Sequence, residues 1–117
     1  MPPKKGDRVA PPPPPGGWEL RHASKGAVDG WEELNRQAPN ALFKAWHVIS
    51  TQPETPDNFE RQHPLKGELG TRMVQGKNLE QWQYEVTGGG RIWYCPDSER
   101  RIVWVTLART GHPKATD

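Results

Sequence analysis

Cysteine and long apolar runs are the features that this sequence has least of. The chain of 117 residues contains one cysteine, Cys95, so it cannot form an internal disulfide, and a cysteine-based zinc site is not expected. No apolar stretch approaches the length of a membrane span or of a signal-peptide core. We therefore expect a soluble protein of the reducing cytoplasm that binds no membrane and needs no metal or other cofactor.

Hydrophobic residues and net charge are also scarce. Hydrophobic residues make up 32% of the chain and the formal net charge is +2, which by itself is too small to indicate a nucleic-acid-binding protein. The charge is uneven, because residues 1–60 contain seven basic and eight acidic residues whereas residues 61–117 contain nine and six. The basic excess in the second part mildly indicates a polyanionic partner, and an ordinary solvated surface explains it equally well.

Proline, glycine and tryptophan, by contrast, are plentiful. Five consecutive prolines at residues 11–15 favour polyproline II, and the two glycines that follow form a loose joint. We therefore predict a disordered Pro-rich tail over residues 1–17, without a packed element, and one domain over residues 18–117. About 100 residues leave room for a thin core only, and the six tryptophans can fill it from few positions.

Two amphipathic helices are predicted after a short strand at residues 18–24. Apolar residues recur at helical spacing over residues 25–38, directly after Ser24, which can cap the first turn. Pro39 interrupts this helix and suits the first turn of a second one over residues 39–50. We expect the two helices to form a hairpin whose apolar face packs against a sheet.

The last third of the chain alternates apolar and polar residues in runs separated by turn signals. The runs cover residues 81–87, 91–94 and 102–107, and the turns fall at residues 88–90 and 96–99. Glycine adopts positive φ freely, so three consecutive glycines predict a tight hairpin. A loop of these three residues alone would pair Thr87 with Arg91 and Glu85 with Trp93.

The parity of this hairpin separates an apolar face from a polar face. Its apolar face carries Trp82, Tyr84, Val86, Ile92 and Tyr94, and its polar face carries Gln83, Glu85, Arg91 and Trp93. A further strand around residues 72–74 gives the order β-α-α-β-β-β-β, or the same with one strand fewer. We predict an α+β fold in which an N-terminal strand and a helical hairpin pack on one face of a small antiparallel sheet, leaving the other face open.

Three segments together resemble the RelE/ParE toxin superfamily of bacterial toxin–antitoxin systems. They are HPLKGEL at residues 63–69, WQYEVTGGGRIWY at 82–94 and VWVTLARTGHPK at 103–114. The resemblance implies a small cytoplasmic toxin with the RelE/ParE-like fold. Many such toxins cleave messenger RNA on the ribosome without a metal. It also implies an antitoxin partner whose flexible segment wraps the toxin, in a heterotetramer or a larger complex.

The same resemblance implies a set of catalytic residues. Arg91 stands where RelE-like nucleases keep a phosphate-binding arginine. Lys66 and His63 stand where some members keep a basic or acidic catalytic group. Arg109 and His112 stand near the arginine and histidine at the C-terminal end of the family.

These residue types suit RNA cleavage, in which the 2′-hydroxyl is the nucleophile. Arginine binds a phosphate through a bidentate fork, and histidine titrates near neutrality, so it can act as an acid or a base. We expect His112 to fill that role first and His63 second, with Lys66 stabilising charge or acting as the base. Substrate binding is assigned to Trp93, which could stack on an unpaired base, and to two basic residues, Arg72 and Lys114.

Alternatives remain open at this level. Arg91 could pair with Glu85 across the hairpin, and Trp93 could serve packing alone. No tyrosine follows Tyr94, although many active RelE-like members end with one, and His112 is followed here by a proline and a lysine. The chain is therefore also compatible with a ParE-like inhibitor that binds DNA gyrase and cleaves nothing, or with a non-toxic binding relative.

Overall fold

A computed structural model describes residues 3–9 and 12–111. The helices there are α1 (Lys25–Gln37) and α2 (Pro39–Thr51), and a 3-10 turn spans Gly67–Gly70. The strands are β1 (Glu19–His22), β2 (Gln62–Pro64), β3 (Thr71–Val74), β4 (Lys77–Glu80), β5 (Trp82–Glu85), β6 (Arg91–Asp97) and β7 (Ile102–Arg109). Of the helices in those two ranges, none is long and apolar enough to cross a membrane.

Five of the strands form one mixed sheet with the order β1-β7-β6-β5-β2. Strand β1 runs parallel to β7, and the other neighbours are antiparallel. The predicted α+β fold with a helical hairpin on one face is thus confirmed. Six described strands follow the helices where four, or one fewer, were predicted, because β2 and β4, at three and four residues, are too short to show clear alternation.

Helix α1 packs closely on strand β7. Its N-terminus is capped as predicted, since the backbone N–H of Ala27 donates to the Ser24 hydroxyl at 3.1 Å. In the middle of the helix, a Cβ added to Gly30 would lie 1.8 Å from the carbonyl oxygen of Ala108. The missing side chain at Gly30 therefore lets the helix backbone approach the strand directly.

The main core lies between the two helices and the sheet. Four of the six tryptophans are buried there, at positions Trp18, Trp31, Trp46 and Trp82. Tyr94 is fully buried at the centre, where its hydroxyl donates to the Pro53 carbonyl and accepts from the Gln62 amide, each at 2.9 Å. Burial raises the pKa of Tyr94 far above its ordinary value, so it acts as a neutral hydrogen-bonding residue.

The β5–β6 hairpin pairs Glu85 with Arg91 and Gln83 with Trp93. The predicted pairing of Thr87 with Arg91 is therefore wrong by two residues. The loop is displaced by one residue, because the N–H of Val86 donates to the Gly90 carbonyl at 2.8 Å, which places the turn at residues 87–89. A shift of two residues preserves side-chain parity, so the predicted assignment of residues to the two faces of the hairpin is correct.

Gly88, Gly89 and Gly90 do not adopt unusual backbone angles, and Gly90 serves close approach. None of the three has a φ between +20° and +160°. A Cβ on Gly90 would meet the Thr87 hydroxyl at 2.8 Å, and one on Gly111 would meet the Gly89 carbonyl carbon at 2.5 Å. The loop therefore packs directly against the chain that leaves β7.

The second face of the sheet is only half open, which corrects the expectation of a wholly open face. Strands β3 and β4 form a separate hairpin that covers one end, where Val74 packs with Cys95 and Trp104. Lys77 on this hairpin forms an ion pair with the buried Asp97 at 3.1 Å. Apolar residues of the hairpin are buried against the sheet at that end. The opposite end of this face, which carries the start of β6 and the end of β7, stays exposed.

Residues 3–9, called the N-terminal arm below, lie along the outer edge of β1. The N–H of Val9 donates to the Leu20 carbonyl at 2.8 Å, and the N–H of His22 donates to the Asp7 carbonyl at 3.1 Å. Val9 is 2% exposed and belongs to the main core. The sequence predicts no packed element in this segment, but the arm packs against the domain. It does so because the edge strand β1 offers unpaired backbone groups. The domain boundary at residue 17 remains a prediction.

Candidate functional site

Two arginines stand side by side at the exposed end of the sheet. Arg91 begins β6 and Arg109 ends β7, and the two are directly opposite in the antiparallel ladder. Like charges in this position are unfavourable unless something neutralises them. Within residues 3–9 and 12–111, neither guanidinium forms an ion pair. The pair is therefore suited to bind an external anion.

A cavity of about 430 Å³, called the arginine cavity below, surrounds this pair. It is lined by Gln83, Glu85, Gly88, Gly89, Gly90, Arg91, Arg109 and Gly111. Gly111 has a φ of +114°, and its close contact with Gly89 brings bare backbone to the cavity wall. Four glycines without side chains leave room beside the guanidinium groups for a ligand of phosphate size.

Glu85 supplies the one carboxylate among the described lining residues of the arginine cavity. It lies opposite Arg91 in the ladder, yet the two side chains form no ion pair in the described structure. Its backbone is fixed by Arg61, whose guanidinium donates to the Glu85 carbonyl at 2.9 Å. Glu85 therefore lowers the positive charge of the cavity while leaving both arginines available.

Trp93 and Gln83 form the next pair along the same face. The indole N–H of Trp93 donates to the Gln83 side-chain oxygen at 2.8 Å, and both residues are half-buried. This contact fixes the ring across the sheet and leaves part of it accessible. Packing and base stacking are both compatible with this position, and stacking remains a prediction.

His63 and Lys66 lie in a second cavity of about 410 Å³, called the aromatic cavity below. Its lining residues are Phe59, Glu60, His63, Pro64, Leu65 and Lys66. His63 on β2 is directly opposite Gln83, so its side chain shares the face that carries the arginine pair. Sequence reasoning missed Phe59, because it stands in a polar segment without periodicity.

Hydrogen bonds of the buried Gln81 side chain and backbone connect the chain segments that line the two cavities. Thr106 is the extra residue of a β-bulge in β7, and its hydroxyl donates to the Gln81 side-chain oxygen at 2.5 Å. The Gln81 amide donates in turn to the Leu69 carbonyl at 2.8 Å, and its backbone carbonyl accepts from the Leu65 N–H at 2.8 Å. The segment that carries His63 and Lys66 is thereby tied to the strand that carries Arg109.

The remaining predicted residues do not join this arrangement in the described structure. Arg72 lies on β3, exposed, over the covered end, and lines neither cavity. Its charge acts to lower the pKa of Cys95, but burial has the larger effect and raises it to about 12. His112 and Lys114 lie outside the described residues, so their roles stay predictions. Among described residues, no group of three or more His, Cys, Asp or Glu could hold a metal ion.

A helical hairpin on one face of a mixed sheet, with the other face exposed at one end, is the RelE/ParE-like fold, as the sequence resemblance predicts. A YoeB/ParE toxin from Agrobacterium tumefaciens is similar, with a TM-score of 0.55, 21% identity, and coverage of 80% of this chain and 98% of that one. The toxin–antitoxin complex RelBE2 from Mycobacterium tuberculosis gives 0.50 and 20%, covering 83% and 99%. No protein-family model and no curated protein matches the sequence.

Proposed function

We propose that this protein is the toxin of a toxin–antitoxin system and that it cleaves messenger RNA on the ribosome without a metal, which inhibits translation. The observation that carries the proposal is the pair of Arg91 and Arg109, which face each other in an open cavity without an ion pair in the described structure. The shared fold supports it, because both similar structures contain proteins described as toxins.

The chemistry requires only groups that this face can offer. A base removes the proton of the 2′-hydroxyl, whose oxygen attacks phosphorus, and the 5′-oxygen leaves with a proton from an acid. The products are a 2′,3′-cyclic phosphate and a 5′-hydroxyl end. Arg91 and Arg109 bind the phosphate oxygens and offset the negative charge that develops in the transition state.

Proton transfer is assigned to groups near the arginine pair. His112 follows Gly111, which lines the arginine cavity, and we assign it as the first acid or base. His63 is the second candidate, because it lies across Gln83 from the same cavity, and Lys66 stabilises charge beside it. In this proposal Trp93, Arg72 and Lys114 contact more distant parts of the RNA.

An antitoxin is the proposed protein partner. The similar structure from Mycobacterium tuberculosis is a toxin–antitoxin complex. Four large apolar residues are exposed on the described surface, namely Phe43, Phe59, Leu69 and Met73. A flexible antitoxin segment would cover such surface in a heterotetramer or larger assembly in the cytoplasm. Co-purification with the product of an adjacent small open reading frame tests this assignment.

Brief induction followed by primer extension on cellular messages tests the proposed activity. The wild type should arrest growth and cut messages, whereas Arg91→Ala and Arg109→Ala should each lower cutting by roughly 100-fold. Arg100→Ala is the matched control, because Arg100 is exposed at the opposite end of the same strand pair. Full toxicity of the Arg91→Ala, Arg109→Ala double variant would contradict the proposal.

A ParE-like inhibitor of DNA gyrase is the second candidate function. The observation that favours it is the lack of a tyrosine between Tyr94 and Asp117, where many RelE-like nucleases have one. Under this alternative, induction causes DNA damage while translation continues, and His112→Ala keeps full toxicity. A non-toxic binding relative would show no growth effect at all.

A further inference from the structure

We propose that the aromatic cavity is a subsite for one unpaired base of the RNA whose phosphate is bound by Arg91 and Arg109. The inference rests on the proposed function, because it takes the RNA backbone from the arginine cavity. It adds a binding element that the sequence did not indicate, with Phe59 as its central residue.

The walls of the aromatic cavity suit a flat apolar ligand. Phe59 is 65% exposed, and its ring centroid lies 5.9 Å from that of His63 at an interplanar angle of 45°. Pro64 and Leu65 supply further apolar surface. An aromatic ring left exposed beside an apolar cavity offers a stacking surface, and base–aromatic stacking contributes about 1–3 kcal/mol per base.

The charges of the aromatic cavity also favour a base over a phosphate. Lys66 and Glu60 both line it, so their opposite charges offset each other. The arginine cavity, with two guanidinium groups and one carboxylate, keeps a positive excess. A nucleotide therefore finds an anion site in one cavity and a neutral, aromatic site in the other.

The sheet sets a short distance between the two cavities. Arg91 pairs with Glu85, and His63 pairs with Gln83, which is two residues from Glu85 on the same strand. Strands lie about 4.8 Å apart and residues rise about 3.3 Å, so the backbones of Arg91 and His63 are separated by roughly 12 Å. A short length of single-stranded RNA spans this distance, with one base turned into the aromatic cavity.

Fluorescence anisotropy of a short labelled single-stranded RNA with the full-length protein, at fixed salt, tests the subsite. Phe59→Ala should weaken binding roughly 5- to 100-fold, and Phe59→Trp should retain it. Phe43→Ala is the matched control, because Phe43 is 60% exposed but lies on α2, in the helical layer on the other side of the sheet. It should bind RNA like the wild type.

Abasic RNAs identify the bound base. Removing one particular base should lower the RNA affinity of the wild type by about the same factor as Phe59→Ala does. The same removal should not lower the affinity of the Phe59→Ala variant any further. Unchanged RNA binding by Phe59→Ala would overturn the subsite. It would indicate that the aromatic cavity binds an apolar side chain of a protein partner.

The arginine variants separate this inference from the proposed function. If Arg91→Ala with Arg109→Ala leaves RNA affinity unchanged, the phosphate site fails, while the effect of Phe59 can still be measured. If the wild type binds no RNA at all, the subsite is overturned, whereas the proposed cleavage on the ribosome is tested separately by primer extension on cellular messages.

Discussion

At the scale of single residues, Arg91 and Arg109 differ from the charged residues that have an oppositely charged partner nearby, because they face each other. Lys77 lies against the buried Asp97, and Arg36 pairs with Glu33 one turn earlier on α1. Arg91 and Arg109 instead repel each other across one ladder position. Such local conflicts are expected at functional sites, where a ligand supplies the missing countercharge.

Cys95 shows the opposite situation, a reactive group that the fold makes inert. The thiol is 0% exposed and burial raises its pKa to about 12. The thiolate is the nucleophile of cysteine chemistry, and it is negligible here at neutral pH. Cys95 therefore fills the small core beneath the β3–β4 hairpin, and the functional site must be sought at the other end of this face.

His22 leads to a pH prediction. It is 2% exposed against Trp31, and burial lowers its pKa despite the opposing effect of Asp7 and Glu32. The unfolded chain takes up the proton near pH 6.5, whereas the folded chain does so only at lower pH. The free energy of unfolding should therefore fall as the pH drops through about 6.5.

Urea titrations above and below that pH test the assignment to His22. His22→Phe keeps an aromatic ring beside Trp31 and should lose less stability on acidification than the wild type. His47→Phe is the control, since His47 is exposed on α2, and it should behave like the wild type. An equal loss in the His22→Phe variant would refute the assignment.

At the scale of elements, α1 contains two glycines with opposite consequences. Gly26→Ala meets only the Ser24 hydroxyl at 3.9 Å and should stabilise the protein by up to about 1 kcal/mol, the helix-propensity difference. Gly30→Ala places its methyl group on the Ala108 carbonyl and should destabilise by about 1–3 kcal/mol, because α1 must move away from β7.

Chemical denaturation measures the free energy of unfolding of both variants. It compares the effect of helix propensity at Gly26 with the effect of packing at Gly30. A Gly30→Ala protein as stable as the wild type would show that α1 does not approach β7 as closely as described. A change of the same sign in both variants would point to a common effect on the unfolded chain.

Helix positions were predictable from the sequence to within one residue, whereas strand pairing was not. The periodic apolar positions and Pro39 define both helices, because these signals are local. The register of the β5–β6 hairpin depends on the bond between Val86 and Gly90, which no local pattern reveals. No local pattern predicts the β-bulge at Thr106 either, because its partner Gln81 is 25 residues away.

At the scale of the whole molecule, the N-terminal arm and the β3–β4 hairpin decide which surfaces remain accessible. The arm occupies the outer edge of β1, and the hairpin covers half of one sheet face. Exposed edges recruit other chains, so we expect the arm to protect the domain against self-association. The accessible surface that remains contains the arginine and aromatic cavities.

Removal of residues 1–9 should both destabilise the protein and promote self-association. Loss of the buried Val9 alone costs about 2 kcal/mol, and the exposed β1 edge adds intermolecular pairing. Thermal unfolding and light scattering measure the two effects. Val9→Ala, which keeps the arm backbone, should lower the melting temperature without raising self-association. Equal self-association of both variants would contradict the protective role of the edge pairing.

The sequence by itself determined the helical hairpin, the two faces of the β5–β6 hairpin and the placement of Arg91 and Trp93 on the polar face. These follow from periodicity and parity, which depend only on neighbouring residues. The tertiary structure alone decided that Arg91 meets Arg109, that His63 and Lys66 join Phe59 in a separate cavity, and that the β3–β4 hairpin closes the other end of the sheet. The arginine pair and the position of the β3–β4 hairpin depend on strand order and on contacts between distant segments. The aromatic cavity forms within residues 59–66, but the pairing of β2 with β5 holds this segment beside the sheet, and the local sequence does not encode that pairing.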